Sequence, residues 1–243
     1  MIYHVLPGDA TAADLRTTDI EGEIIVCREC LIVGDSDAES LDEFWEQRAR
    51  FILAEYAEDE IEYQEKVADE LAQLLDISPE SEVYLWFEYE LFCTVNLWFC
   101  LRLLSFTDDV TVYRVEPSVR SPRDRWKGFG GLTADELRDC FDAASRLEQP
   151  DIALGADLWN AYRHRDLARL QELASGASDR FPYLAEVCAA AAELDTRPLE
   201  ILREITAAGI TDFPDVFAEF TKRAGVYGLG DLQVERLLSK IEN

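Results

Sequence analysis

The stretch VYLWFEYELFCTVNLWFCLRLL, residues 83–104, decides the fold. Residues 83–87 are nearly all apolar, as in a strand that is covered on both faces. Leu91–Leu104 then carries aromatic and aliphatic residues around most of its girth, which is typical of a helix inside a core. A buried strand that leads directly into such a helix predicts one unit of a parallel α/β sheet.

The rest of the N-terminal half repeats this alternation. Between the predicted strands lie a short helix, which starts near residue 9, and two helices within residues 41–76, where apolar residues fall at helical spacing. Together these segments predict an α/β N-terminal half with a parallel, Rossmann-like sheet. The further strands are expected at residues 2–6, 23–27 and 110–115.

The pattern changes after Pro117. Residues 118–131 are irregular, and we interpret them as a linker between an α/β domain, 1–117, and an all-helical domain, 132–243. A capping box from Thr133 to Glu136 predicts a helix that runs to about residue 147. Further helices are expected near residues 152–162, 166–173, 183–194, 199–208, 213–224 and 231–241, and no strand pattern appears among them.

The composition is strongly acidic. Asp and Glu number 50 against 23 Lys and Arg, which gives a net charge of −27 spread along the whole chain. Such a field disfavours binding to nucleic acid or to anionic membranes, since both are polyanions. We interpret the charge as halophilic, an adaptation to a salty cytoplasm in which carboxylates are screened. The alternative is a surface that repels polyanions as part of its function.

The sequence predicts a cytoplasmic protein with reduced thiols. It has no basic segment followed by an apolar run at its start, and no apolar stretch long enough to span a bilayer. Its six cysteines lie in or beside apolar segments. Cys27 and Cys30 have the spacing of a zinc pair, but we expect them to bind no metal and to lie apart from Cys93 and Cys100.

Polar side chains gather where the predicted strands end, which is where parallel sheets bind ligands. Carboxylates there suit proton chemistry and arginines suit an anionic group, although ordinary loop residues would look the same. The catalytic candidates are Asp9, Glu29, Glu88 and Glu90. The ligand-binding candidates are Gly8, Arg28, Arg48 and Asn96.

Two other features stay open between a functional and a structural interpretation. The basic segment with Arg120, Arg123, Arg125 and Lys127 either closes over an anionic ligand or pairs with surface carboxylates. His4 lies within the first strand, where a single histidine is more often packed and hydrogen-bonded than catalytic.

Several segments resemble the bacterial family called domain of unknown function 1835. The resemblance implies a bacterial cytoplasmic protein but no activity, cofactor or substrate. It extends over nearly the whole chain, in residues 1–9, 22–32, 44–48, 85–99, 128–132, 158–162, 181–184 and 225–233.

The chain departs from that family pattern at four positions. The resemblance implies Asp where Glu90 stands, Gln where Thr94 stands, His near Ala190 and Arg near Glu193. Glu90 and Thr94 share one helix face, and Ala190 and Glu193 share another. We therefore expect the two faces to oppose each other, with a site between the halves that this chain has altered.

Two functions follow from these patterns. The first is the binding or conversion of a small polar ligand at the ends of the strands. This hypothesis includes both phosphorylated and unphosphorylated ligands. The alternative is a regulatory module that binds a protein partner or a second copy of the chain through its C-terminal helices. The sequence names no cofactor.

The charge leads to a test in salt. We expect the melting temperature to rise by several degrees between low and molar potassium chloride, because screening relieves the self-repulsion of a chain at −27. Scanning calorimetry measures this, with a nearly neutral globular protein in the same buffers as the control. A melting temperature that stays flat or falls would contradict the halophilic interpretation.

Overall fold

The computed structural model describes residues 1–56, 60–122, 124–176 and 178–242, and its centre is a five-stranded sheet. The strands are β1 (Ile2–Leu6), β2 (Glu23–Val26), β3 (Glu82–Trp86), β4 (Thr111–Val115) and β5 (Ser145–Leu147). Their order is β2-β1-β3-β4-β5, and the first four are parallel. The parallel sheet predicted for the N-terminal half is therefore confirmed.

The fifth strand corrects the prediction of an all-helical segment after residue 132. The helix that starts at the Thr133 capping box ends at Asp142 instead of continuing to residue 147. Ser145–Leu147 then pairs antiparallel with β4. A strand at the outer edge of a sheet has unpaired N–H and C=O groups, and β5 covers this edge of β4. The remainder of the C-terminal half is helical.

Twelve helices lie within the described ranges. Gln64–Ala68 forms a π turn, and Gln73–Leu75 and Gly225–Tyr227 form 3₁₀ turns. The N-terminal helices are α1 (Asp9–Leu15), α2 (Leu41–Tyr56), α3 (Glu60–Tyr63), α4 (Asp69–Ala72) and α5 (Leu91–Leu104). The C-terminal helices are α6 (Ala134–Asp142), α7 (Gln149–Arg163), α8 (Leu167–Ala174), α9 (Leu184–Glu193), α10 (Arg197–Ala207), α11 (Phe213–Ala224) and α12 (Asp231–Glu242).

Both faces of the sheet are covered, which is why its strands are apolar on both sides. Successive residues of a strand enter different clusters: Val5 and Leu85 pack with α5, while Leu6 and Trp86 pack with α1 and α6. The α5 side continues without interruption through α7 and α9 into α12. The N-terminal and C-terminal halves thus share one hydrophobic core.

His4 is a structural residue, in agreement with the packed interpretation. It is fully buried, and its Nδ1 accepts a hydrogen bond from Trp86 Nε1 at 3.1 Å. Its Nε2 lies 3.2 Å from the Glu21 carbonyl oxygen, so Nε2 carries the proton and donates it. Burial lowers the pKa of His4, and the ring is therefore neutral.

No helix within the described ranges combines the length and the apolar character that a membrane crossing requires.

The contact between α5 and α7 depends on a glycine. A Cβ atom at Gly155 of α7 would lie 2.3 Å from Leu101 Cδ1 of α5. We expect Gly155→Leu to lower the free energy of unfolding by about 1–3 kcal/mol, because overpacking displaces α5. Urea unfolding measures this, and Ala153→Leu on the exposed face of the same helix is the control. Equal stability of the two variants would show that this contact is loose.

Candidate functional site

The predicted site residues form three separate groups at the ends of the strands. The first group is partly exposed and joins β1 to β2. Arg28 donates from Nε and Nη2 to the two carboxylate oxygens of Asp9, at 2.9 and 2.8 Å. It also donates to Glu70 and to the carbonyl oxygen of Lys66. The hydrogen bond from Arg28 lowers the pKa of Asp9, so that this carboxylate is ionised and committed to the arginine.

Gly8 stands at the start of α1, where its carbonyl oxygen accepts a hydrogen bond from Ala12 N at 3.1 Å. Its φ of 168° is extended, a conformation open to any residue, and no atom lies within 4 Å of the Cβ that another residue would add. Nothing in the local geometry therefore requires a glycine for a close approach of phosphate.

The second group is a buried ion pair. Glu29 and Arg48 side chains are both 0% exposed, and Arg48 donates from Nε and Nη2 to the two carboxylate oxygens, at 3.0 and 2.8 Å. Tyr63 donates its hydroxyl to Glu29 Oε1 at 2.5 Å, and Cys30 N donates to Oε2 at 2.6 Å. This carboxylate is fully bonded inside the protein, as a charge buried without solvent must be.

The same pair organises the loop that follows β2. Arg48 donates to the carbonyl oxygens of Cys30 and Val33, at 3.0 and 2.7 Å, and more weakly to that of Asp35 at 3.4 Å. Asn96 of α5 donates from Nδ2 to the Glu29 carbonyl oxygen at 2.8 Å. The geometry therefore gives Glu29, Arg48 and Asn96 a structural role.

The third group is a carboxyl pair at the end of β3. Glu90 is the residue before α5, and its carboxylate accepts the Cys93 N–H at 3.1 and 3.2 Å. Glu88 Oε1 accepts the Phe129 N–H at 2.7 Å, and Cys93 Sγ lies 3.9 Å from Glu88 Oε2. One ligand atom from each of Glu88, Glu90 and Cys93 lies within 4.8 Å of the others.

Two glycines close over the carboxyl pair. A Cβ at Gly128 would lie 1.9 Å from Glu88 Cδ, and one at Gly228 would lie 2.6 Å from Glu90 Cδ. Both glycines have positive φ, 68° and 66°, which side-chain-bearing residues rarely adopt. The linker and the segment before α12 therefore meet the end of β3 at this point.

The carboxyl pair carries a proton. Burial raises the pKa of Glu88, and burial together with the charge of Glu88 raises the pKa of Glu90 to about 8. Within the described ranges no Lys or Arg forms an ion pair with either carboxylate. Two neighbouring desolvated carboxylates without a cation resist being ionised together, so Glu90 keeps its proton at neutral pH.

Two carboxylate oxygens and a thiolate are ligands that Zn²⁺ accepts. Glu88, Glu90 and Cys93 could therefore hold a metal if it displaced the protons of Glu90 and Cys93, and the absence of a metal stays a prediction.

The cysteines differ from expectation in one respect. Cys27 and Cys100, both fully buried, are hydrogen-bonded to each other, and this bond together with burial raises the pKa of the Cys27 thiol. The prediction that Cys27 lies apart from Cys100 is therefore wrong. It failed because the residue that follows β2 contacts α5, and the sequence separation of the two cysteines gives no sign of this contact. Cys30 points elsewhere, towards Gln233 Nε2 at 3.5 Å.

The basic segment pairs with carboxylates. Arg120 contacts Glu136, Arg125 lies 2.8 Å from Glu186, and Lys127 lies 2.5 Å from Asp124. Arg123 lies outside the described residues. The geometry favours surface pairing over closure on a ligand.

The four positions at which the chain departs from the family pattern have different surroundings. Thr94 is buried, and its hydroxyl donates to the Tyr89 carbonyl oxygen at 3.1 Å. Ala190 is buried, whereas Glu193 is exposed and its charge acts on Tyr227, next to the glycine that covers Glu90. The two halves meet near Glu90, and a shared site with Ala190 stays a prediction.

A cavity of about 550 Å³ lies elsewhere between the halves. One wall is the loop of residues 32–36, and the others come from α2, α7, α8, α9, α10 and α12. The eight predicted site residues all belong to the described chain, and none of them lines this cavity. Its charged lining residues are the cations Arg163, Arg165, Arg236 and Lys240 and the acids Asp35, Glu55 and Asp195.

Sequence reasoning missed these lining residues because seven chain segments contribute them. No motif holds them at a fixed spacing. The one usable signal was the rarity of lysine: the chain has four, and one of them, Lys240, stands in the last turn of the last helix.

No family model, curated protein or solved structure matches the chain. The resemblance to domain of unknown function 1835 therefore stays a prediction, and geometry alone carries the functional argument.

The raised pKa of Glu90 can be tested with Glu90→Gln. The pKa of Glu90 is about 8 in the folded protein, against an ordinary value of 4.5. Between these two pH values the folded protein keeps the proton that the unfolded chain loses, so the free energy of unfolding falls as the pH rises. Gln has no such loss and still accepts the Cys93 N–H. We expect it to raise the free energy of unfolding at pH 9 by on the order of 2–4 kcal/mol, at about 1.4 kcal/mol per pKa unit.

Glu116→Gln is the matched control, measured by the same urea unfolding at several pH values. Glu116 is a partly buried carboxylate, with a side chain 29% exposed, and it lies 3.4 Å from Arg114, which is 2% exposed. Its neutralisation leaves the buried Arg114 without its acid, so Glu116→Gln is expected to destabilise the protein. If Glu90→Gln destabilised the protein at pH 9 as Glu116→Gln does, the ionised carboxylate of Glu90 would be stabilising in the fold, and the raised pKa of Glu90 would be refuted.

Proposed function

We propose that this protein binds a small molecule in the cavity between its halves. The observation that carries the proposal is the cavity itself, whose volume of about 550 Å³ lies within the range of small-molecule sites, roughly 300–1,000 Å³. Its lining mixes apolar and charged side chains from both halves, as ligand sites between structural units commonly do.

The cavity is preformed on one side. Its wall at residues 32–36 is held by the bond from Arg48 to the Val33 carbonyl oxygen. Gly34, with a φ of 79°, packs so closely that a Cβ would lie 2.7 Å from Arg48 Nη1 and 2.8 Å from the Phe51 ring. A rigid wall reduces the entropy cost of ordering a binding site around its ligand.

Binding is supported better than conversion. Cys30 is a cysteine beside this cavity, since its thiol contacts the lining residue Gln233. Burial raises the pKa of Cys30 to about 12, which keeps it a neutral thiol and a poor nucleophile. We therefore propose a small ligand, as the sequence predicted, but we place its site in the cavity instead of at the ends of the strands.

The alternative interaction module has less support. Within the described part of residues 132–243, Leu167 and Leu232 are the large hydrophobic side chains that are exposed, and Leu167 lines the cavity. Single exposed side chains are ordinary and do not form a docking patch.

A cavity-filling variant tests the proposal. Ala191 lines the cavity on α9, and Ala189 is exposed on the same helix and does not line it. A thermal-shift screen uses nucleotides, sugar phosphates and aromatic or aliphatic acids on wild type, Ala191→Trp and Ala189→Trp. A ligand at 100 times its dissociation constant contributes about 2.7 kcal/mol, so a rise of roughly 5–10 °C is expected.

The rise is expected in wild type and Ala189→Trp and is expected to vanish in Ala191→Trp. Ligands that stabilise all three proteins alike would place the binding outside the cavity. A screen without any stabilising compound would also contradict the proposal.

A further inference from the structure

The charges of the cavity differ from those of the rest of the chain. Over the whole protein, acids outnumber bases by 50 to 23, whereas the cavity is lined by four bases and three acids. In a protein with a net charge of −27, a local excess of cations marks a place where a negative group is less strongly repelled than elsewhere.

Two of the four cations are already neutralised within the cavity. Arg236 pairs with Glu55 and stacks on the Tyr56 ring, with 4.4 Å between the guanidinium carbon and the ring centroid. Arg165 lies 3.2 Å from Asp195. These pairs leave Arg163 and Lys240 to interact with a ligand.

Arg163 is only partly satisfied. Its Nη1 donates to the Ala38 carbonyl oxygen at 2.8 Å, which fixes the guanidinium in place. Its Nε is buried and has no hydrogen-bond partner among the described residues. Lys240 forms no ion pair with any residue in the described ranges. An unpaired cation in such a site is stabilised when an oxyanion binds beside it.

The uncharged part of the lining contains a large apolar set besides a few polar side chains. The apolar side chains include Phe51, Leu170, Leu194, Leu199, Leu229 and Leu237. Burial of an apolar group against them contributes about 25 cal/mol per Å². A free inorganic anion would leave this surface without a partner, so the complementary ligand has an apolar body as well as a charge.

We propose that the cavity selects an organic oxyanion, a carboxylate or phosphate monoester on an apolar body, through Arg163 and Lys240. This inference rests on the proposed function, because it names the ligand class of the same cavity. A phosphate monoester is favoured over a carboxylate, because two cations complement a dianion better than a monoanion.

Three probes with one naphthalene body separate charge from shape: 1-naphthyl phosphate, 1-naphthoate and 1-naphthamide. Calorimetric titration of the full chain at a fixed salt concentration is expected to give the tightest binding for the phosphate and the weakest for the amide. The dissociation constants of the phosphate and the amide are expected to differ by at least tenfold, which corresponds to about 1.4 kcal/mol.

The variants Arg163→Gln and Lys240→Gln remove one cation each, and Arg50→Gln removes an exposed cation outside the cavity. We expect each cavity variant to weaken the binding of 1-naphthyl phosphate by about tenfold and to leave the affinity for 1-naphthamide unchanged. Arg50→Gln is expected to change neither. The Lys240 side chain forms no hydrogen bond or ion pair with the described residues. Its variant therefore tests the inference even if Arg163→Gln fails to fold.

The outcomes distinguish the two proposals. If the amide binds as tightly as the anions, or if the phosphate binds Lys240→Gln as well as wild type, the anion inference is overturned while small-molecule binding stands. If none of the probes binds wild type, the anion inference is also overturned. If the phosphate still binds Ala191→Trp at full strength, the ligand lies outside the cavity and both proposals fail.

Discussion

The rest of the structure depends on the ion pair between Glu29 and Arg48. Taking both charges out of water costs several kcal/mol for each ion, and their attraction offsets this only where every polar atom is bonded. Arg48 meets that condition with five hydrogen bonds, two to the carboxylate and three to carbonyl oxygens. The pair thereby joins α2 to residues 29–35. This segment belongs to no helix or strand, so it has no regular backbone hydrogen bonds to hold it in place.

A second way to bury a carboxylate appears where the two halves meet. Among the described residues no cation pairs with Glu88 or Glu90, and Glu90 keeps a proton instead, under two glycines that let the backbone approach. The ion pair fixes one wall of the cavity and the carboxyl pair closes the contact between the halves. The ends of the strands are thus occupied by internal contacts, and the open volume lies between the loop of residues 32–36 and the C-terminal helices.

The sequence predicted the elements better than their assembly. Apolar runs located β1 to β4 because strands buried on both faces leave a strong signal. The three-residue β5 left none, since Ser145 and Arg146 have no strand pattern and only pairing with β4 defines it. Arg48 was predicted as a ligand-binding residue, whereas its actual partner, Glu29, was not predictable from the sequence. The cavity could not be predicted at all, because its walls come from seven segments that tertiary packing alone brings together.

Amide hydrogen exchange of the loop in Arg48→Met tests the central claim most directly. The account holds that the ion pair fixes this cavity wall, where the Val33 N–H donates to the Cys30 carbonyl oxygen at 3.2 Å. In wild type, the Val33 amide should exchange far more slowly than an amide without a hydrogen bond. In the variant, the loop should exchange at least about tenfold faster, which is roughly 1.4 kcal/mol, while α5 and α7 change less. Equal acceleration everywhere, or a loop that stays protected, would contradict the account.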